Sequence, residues 1–169
     1  MNAAHLHLVI NHLPIIGAFL SLPLVAMTLW RRGDRGLLLA VALTLGLTGA
    51  GALASLQTGD PAEEMVEHLP GVAESLIETH EDPAEVAAGL AVATAVGAMM
   101  LFAMAWRRDS PLPSALIATL LLATAATSGA MTWTGKAGGA IRHPEIRGQA
   151  VGVTAAITQN GHNEFDADD

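Results

Sequence analysis

The sequence predicts an all-α fold: an integral membrane four-helix bundle with a short amphipathic helical outer loop. Hydrophobic residues make up 51% of the 169-residue chain and charged residues only 14%, whereas a soluble domain usually has about 25% charged residues. Four stretches without Asp, Glu, Lys or Arg each reach the length of about 20 residues that an α-helix needs to cross a bilayer. Because the chain has no cysteine, disulfides, thiolate zinc sites and thioether-linked haem are excluded.

The predicted spans divide the chain into a transmembrane domain, residues 1–147, and a polar, acidic C-terminal tail, residues 148–169. Tryptophan ends three of the spans, as expected of side chains that anchor a helix at the membrane interface. Small residues in the second and fourth spans favour close helix packing in lipid. In chain order, the spans cover about 8–30, 36–56, 86–106 and 112–133.

The arginines predict the orientation of the bundle. Arg31, Arg32 and Arg35 lie between the first two spans, and Arg107 and Arg108 lie between the last two, while the loop 59–85 contains no Lys or Arg. Because short cytoplasmic loops carry an excess of Lys and Arg, both arginine turns are expected in the cytoplasm. The loop and both termini are then expected on the outer side. No basic patch suited to nucleic acid is present.

The outer loop, 59–85, is predicted to be structured. A short helix fits residues 61–69 and ends at Leu69-Pro70-Gly71, and a second amphipathic helix fits residues 72–81. Its apolar face includes His80, which is therefore expected to turn toward the bundle. Asp82-Pro83 fits the start of a separate helix, the third span.

The histidines are the candidate ligands of a cofactor. Apart from His162 in the acidic tail, all are predicted to lie in one layer at the outer side, and neutral imidazole is the commonest metal ligand in proteins. His5 and His12 would be separated by about 10.5 Å of helical rise, so the ligands of one ion must come from different segments. His12 and His80 are the best single candidates. The full predicted site comprises His5, His7, His12, His68, His80, His143 and Glu64.

Two types of cofactor fit this set. Two histidines from facing helices would suit haem b, whereas three or four with a glutamate such as Glu64 would suit a transition-metal ion, either iron, copper or zinc. A ligand histidine should have its second nitrogen held by a carboxylate or a carbonyl group.

Several motifs occur in an order that resembles a domain-of-unknown-function family of small bacterial four-helix membrane proteins. The resemblance covers about residues 5–146 and implies a location in the bacterial inner membrane, with a weak indication of a respiratory setting. The motifs are His5-Leu6-His7-Leu8, Asn11-His12-Leu13-Pro14, Glu67-His68-Leu69-Pro70-Gly71, Ile77-Glu78-Thr79-His80-Glu81, and Gly138-Gly139-Ala140-Ile141-Arg142-His143-Pro144-Glu145.

The sequence therefore favours a redox protein that exchanges electrons with a quinol or a periplasmic carrier through haem b or a metal ion. The alternative is a non-catalytic accessory subunit that packs in a larger respiratory or photosynthetic membrane complex, or in a homo-oligomer. A zinc hydrolase is disfavoured because no His-Glu-x-x-His motif is present. A transporter is disfavoured because no charged residue lies within a span.

Overall fold

The computed structural model describes residues 2–147, and in this range the chain is helical. A short 3-10 turn, Pro144–Ile146, follows the last α-helix. The α-helices, numbered in chain order, are α1 (Ala3–Ile10), α2 (His12–Thr28), α3 (Arg35–Gln57), α4 (Gly59–Val66), α5 (Glu74–Trp106) and α6 (Ser114–Arg142).

Four helical segments are long and apolar enough to cross a membrane, as the sequence predicts. They are Ala3–Thr28, Arg35–Gln57, Glu74–Trp106 and Ser114–Arg142. Helices α2, α3, α5 and α6 form a closed ring in which each packs on the next and α6 returns to α2, while α1 packs on α4. One end of the bundle, the histidine end, comprises residues 2–12, 57–85 and 134–147. The opposite end, the arginine end, comprises the turns 29–34 and 107–113.

The first span is interrupted at Asn11, where α1 ends and α2 begins. Pro14 lies in the first turn of α2 and has no N–H to offer a carbonyl in the preceding turn. Asn2 caps α1 by accepting a hydrogen bond from the His5 N–H at 2.9 Å. Similarly, Asp34 caps α3 through the Leu37 N–H at 3.0 Å. Proline and the caps therefore set these helix boundaries.

The predicted helix start at Asp82 is wrong, because α5 runs without a break from Glu74 to Trp106 and contains Pro83. Pro83 removes one backbone hydrogen bond, but residues on both sides of it are packed: Ile77 is buried before it, and Ala87 and Ala88 are buried after it. Packing thus outweighs the local start signal. The predicted helix 72–81 forms the first turns of α5.

The core has two parts of different composition. Toward the arginine end it contains large aliphatic side chains such as Val25, Leu38, Leu45 and Ile117. Toward the histidine end it consists of Met131 and five alanines: Ala18, Ala52, Ala87, Ala88 and Ala91. Small side chains let the helices approach closely in this half.

Glycine permits a close approach of α2 to α3. A Cβ added to Gly17 would overlap Thr48 Oγ1 and lie 3.3 Å from Thr48 Cβ. A Cβ on Gly49 would lie 3.1 Å from Ala95 Cβ on α5. Between α5 and α6, the hydroxyls of Thr94 and Thr127 are hydrogen-bonded at 3.0 Å.

Arg147 closes the histidine end by binding carbonyl oxygens at the end of α6 and in the turn after α4. Its Nε donates to Ala140 O at 2.6 Å, and its Nη2 donates to Ile141 O at 2.7 Å and to Gly71 O at 3.0 Å. These bonds satisfy carbonyls that the helix leaves unpaired. They also attach residues 69–72 to α6.

Replacing Arg147 by alanine is expected to loosen both segments. Hydrogen bonds from a charged donor contribute about 1.5–3 kcal/mol each, so amide hydrogen exchange at 69–72 and 138–143 should accelerate by at least about tenfold. Arg142→Ala, which removes an exposed arginine from the same helix end, is the control. Equal acceleration in the two variants would contradict this role of Arg147.

Candidate functional site

The structure places the predicted site residues at the histidine end but does not bring all of them together. His5, His12, His68, His143 and Glu64 are exposed. Among residues 2–147, no group of three or more His, Asp or Glu side chains is arranged to hold a metal ion. The predicted ligand set is thus spread over the surface, apart from His7 and His80.

The exposed histidines have local partners. His12 Nδ1 lies 2.6 Å from the Leu8 carbonyl oxygen of the preceding turn. His143 Nδ1 lies 2.8 Å from Glu145 Oε1, and His68 Nε2 lies 3.3 Å from Glu67 Oε1. In each contact the two partners are at most four residues apart along the chain, so these contacts do not bring distant parts of the chain together.

His7 and His80, in contrast, are each hydrogen-bonded to a distant segment of the chain. His7 on α1 and His80 on α5 are both half-buried, and they are close enough for a charge on one ring to act on the other. The His80 ring lies against α6, where a Cβ on Gly138 would be 2.9–3.5 Å from three of its ring atoms. His80 therefore turns toward the bundle, as its apolar helix face predicts.

Each of the two rings is held through Nδ1. His80 Nδ1 lies 3.1 Å from the Thr134 carbonyl oxygen, which can only accept, so Nδ1 carries the hydrogen. His7 Nδ1 lies 3.1 Å from Thr58 Oγ1. The Thr58 hydroxyl lies 3.0 Å from Ala54 O and 3.1 Å from Ser55 O, so it can donate to a carbonyl and accept from His7. When Nδ1 is the donor, a neutral imidazole has its lone pair on Nε2.

Three buried side-chain polar atoms without protein partners belong to residues whose backbones contact His7 or His80. Within the described part of the chain, the buried side-chain atoms that lack a hydrogen bond are Asn11 Oδ1, Ser55 Oγ and Thr134 Oγ1. The Asn11 N–H donates to the His7 carbonyl, Ser55 offers its carbonyl to the His7 ring, and Thr134 accepts from His80. A buried polar group left unpaired costs about 1–3 kcal/mol. Each such buried atom calls for a partner, such as a water molecule or a bound polar group.

The carboxylates at the histidine end have their own electrostatic interactions. A hydrogen bond with Glu81 raises the pKa of Glu63, and partial burial and the nearby negative charges add to this effect. The pKa of Glu145 is lowered, chiefly by its own backbone N–H and then by the hydrogen bond from His143. The carboxyls of Glu63 on α4 and Glu81 on α5 are thus close enough to form a hydrogen bond when one of them is protonated.

We expect this contact to weaken as the pH rises. The pKa of Glu63 is higher in the folded protein than in the unfolded chain. The stabilising contribution of this contact is therefore fully present below the unfolded pKa of about 4.3, and it is lost as the pH rises through the folded pKa. Glu63→Gln keeps a donor that does not titrate. Its apparent melting temperature should match the native protein at low pH and exceed it near neutrality. Glu64→Gln is the control. If the melting temperatures of Glu63→Gln and the native protein differed by the same amount at every pH, the hydrogen bond between Glu63 and Glu81 would be contradicted.

The sequence interpretation missed Ser55, Thr58, Thr134 and Gly138. A hydroxyl pair three residues apart at the end of an apolar span, and a Gly-Gly pair after the last span, are the signals that point to them. Neither signal specifies a partner without the fold.

Comparisons with known proteins found no relative of this chain. No protein-family model, curated protein or solved structure matches the chain.

Proposed function

We propose that this protein is a membrane electron-transfer protein that holds a metal-centred cofactor between His7 and His80. The observation that carries the proposal is a pair of half-buried imidazoles from distant parts of the chain that lie within electrostatic range of each other, each with its Nδ1 hydrogen-bonded to another segment. With Nδ1 as the donor, Nε2 of each ring is left for a ligand. Metal-bound histidines commonly donate their other N–H to a protein oxygen in this way.

Of the two predicted types of cofactor, haem b fits the residues better than a bare ion. Two histidines can serve as the two axial ligands of a haem, whereas iron, copper or zinc alone usually needs three or four protein ligands. Residues 2–147 do not supply a third histidine or a carboxylate at this place. When bound, haem supplies a one-electron carrier whose potential depends on its axial ligands and their hydrogen bonds.

The residues around the pair hold the imidazoles in place. Thr58 and Thr134 fix the orientation and the protonated nitrogen of His7 and His80. The alanine core next to them offers little bulk that would separate the helices. Asn11 Oδ1 and the Ser55 and Thr134 hydroxyls are available to bind polar groups of the cofactor or water.

The proposed setting is the bacterial inner membrane, with the histidine end outward. Helix α5 has 33 residues and is therefore about 50 Å long, whereas the hydrocarbon layer is about 30 Å thick. His80 lies in the second turn of α5, outside the predicted third span. A quinol in the membrane or a periplasmic carrier could then exchange electrons with a cofactor at this level.

The alternative is an accessory subunit of a larger membrane complex. One observation favours it: a Cβ on Gly89 of α5 or on Gly129 of α6 would meet no protein atom within 4 Å. Small outward-facing residues permit another helix to approach closely.

An absorption spectrum of the native protein, purified without chelators, tests the proposal. We expect a Soret band and sharpened α and β bands on reduction, with about one haem per chain. Metal analysis of the same sample would reveal iron, copper or zinc without haem. A protein with neither haem nor stoichiometric metal would overturn the proposal in favour of the accessory subunit.

A further inference from the structure

The arginine end of the bundle carries a second feature, a pair of adjoining clefts between the two interhelical turns. The turns are joined by hydrogen bonds from Leu112 N–H to Arg32 O at 3.4 Å and from Arg35 Nη2 to Arg108 O at 3.0 Å. The clefts measure about 430 and 410 Å³ and share Arg32, Gly33 and Pro111 along their boundary. They form one open, concave surface.

This surface is strongly basic. Five of the eight Lys and Arg residues of the chain are in or beside it, with only two carboxylates, Asp34 and Asp109. Arg31 is 3.7 Å from Asp34, and within residues 2–147 it is the only one of these arginines that forms an ion pair. The other four are Arg32, Arg35, Arg107 and Arg108, which leaves an excess of guanidinium donors around the clefts.

The flank of the clefts is apolar and reaches the helix surface that would face lipid. Trp30 lines the first cleft, and Trp106 lies 5.8 Å below the Arg35 guanidinium. Below Arg35, exposed leucines follow at every fourth residue of α3, at Leu39, Leu43 and Leu47. Residues at this spacing share one helix face, so a cationic group lies at the head of an aliphatic stripe.

We propose that this cleft binds the phosphodiester headgroup of an anionic phospholipid, with an acyl chain along Leu39, Leu43 and Leu47. Guanidinium groups bind phosphate oxygens in a bidentate manner, and basic pockets at the ends of membrane helices favour anionic lipids. Arg32 and Arg108 approach the cleft from the two turns, so one headgroup would connect them. The proposal is independent of the cofactor at the opposite end.

Native mass spectrometry of the full chain in neutral detergent, with phosphatidylglycerol or phosphatidylcholine added, tests the proposal. We expect the native protein to retain one phosphatidylglycerol in preference to phosphatidylcholine. The double variant Arg32→Gln/Arg108→Gln should weaken that retention by at least about tenfold. The control Lys136→Gln/Arg142→Gln removes two positive charges from the histidine end and should retain the lipid.

A second measurement locates the acyl chain. In single-tryptophan variants, phosphatidylglycerol with brominated chains should quench Trp106 more strongly than Trp133, which lies toward the histidine end. Equal retention of the two lipids by the native protein would overturn the proposal. So would equal losses in the two double variants, since binding would then follow total charge, or equal quenching of the two tryptophans. Unchanged melting temperatures in detergent would establish that the variants are folded.

Discussion

Replacing Gly17 by leucine is expected to lower the apparent melting temperature of the protein in detergent by several degrees. A side chain at this position overlaps Thr48 on α3, so α2 and α3 must separate. Overpacking of this kind costs about 1–3 kcal/mol, and occasionally more. Replacing a glycine in a helix interior by a better helix former stabilises the helix by about 1 kcal/mol. The steric cost is expected to exceed this gain, because the neighbouring atoms include the Thr48 backbone.

Gly129→Leu on α6 is the matched control. It makes the same substitution within a helix, but a Cβ there has no protein atom within 4 Å, so only the gain in helix propensity remains. A smaller change refines the comparison: Gly17→Ala should be less harmful when Thr48→Ala removes the hydroxyl that it meets. Equal melting temperatures for the two leucine variants would contradict the close approach of α2 and α3.

His7→Ala and His80→Ala are each expected to abolish retention of haem, if the proposed function is correct. Loss of either axial imidazole leaves the iron with one protein ligand, so the ratio of haem to protein should fall below about one tenth of the native value. Thr58→Val keeps both ligands but removes the acceptor of the His7 Nδ1–H. Loss of such a hydrogen bond typically lowers metal affinity by about 10–100-fold, and it should also shift the reduction potential.

His12→Ala and His143→Ala are the controls, because both imidazoles are exposed and have partners at most four residues away along the chain. The haem content and the Soret band of these variants should match the native protein. If His12→Ala lost the cofactor and His7→Ala kept it, the assignment of His7 would be wrong. The melting temperatures of all variants separate loss of a ligand from loss of the fold.

The architecture of the bundle could largely be predicted from the sequence because it depends on properties of single segments. Apolar length and the absence of charge identified four helices capable of crossing a membrane, and the structure contains them. The prediction failed at Pro83, where a local helix-start signal competed with packing on both sides. Pro14 also predicts a helix that begins near Asn11, and α2 begins at His12.

The site could be predicted only as far as its level in the bundle. Helical periodicity predicted that His80 faces the bundle. It could not distinguish His7 from His12, because the directions of these two side chains depend on how α1 is placed relative to α2 across the break at Asn11. The partners of the pair, Thr58 and Thr134, come from α3 and α6. Because Thr58 and Thr134 are far from His7 and His80 along the chain, the periodicity of a single segment cannot predict these contacts. The cofactor itself stays a prediction.

The alanine core near the histidine pair has a consequence for conformational entropy. Burial of alanine restricts no side-chain rotamers, whereas each buried leucine or isoleucine loses about 0.5–1 kcal/mol of rotamer freedom. The helices at the histidine end therefore come together at almost no entropic cost from these side chains. Among the buried residues of the alanine half, only Met131 has rotamers to lose. The two halves of the bundle thus differ in how much side-chain entropy their packing removes.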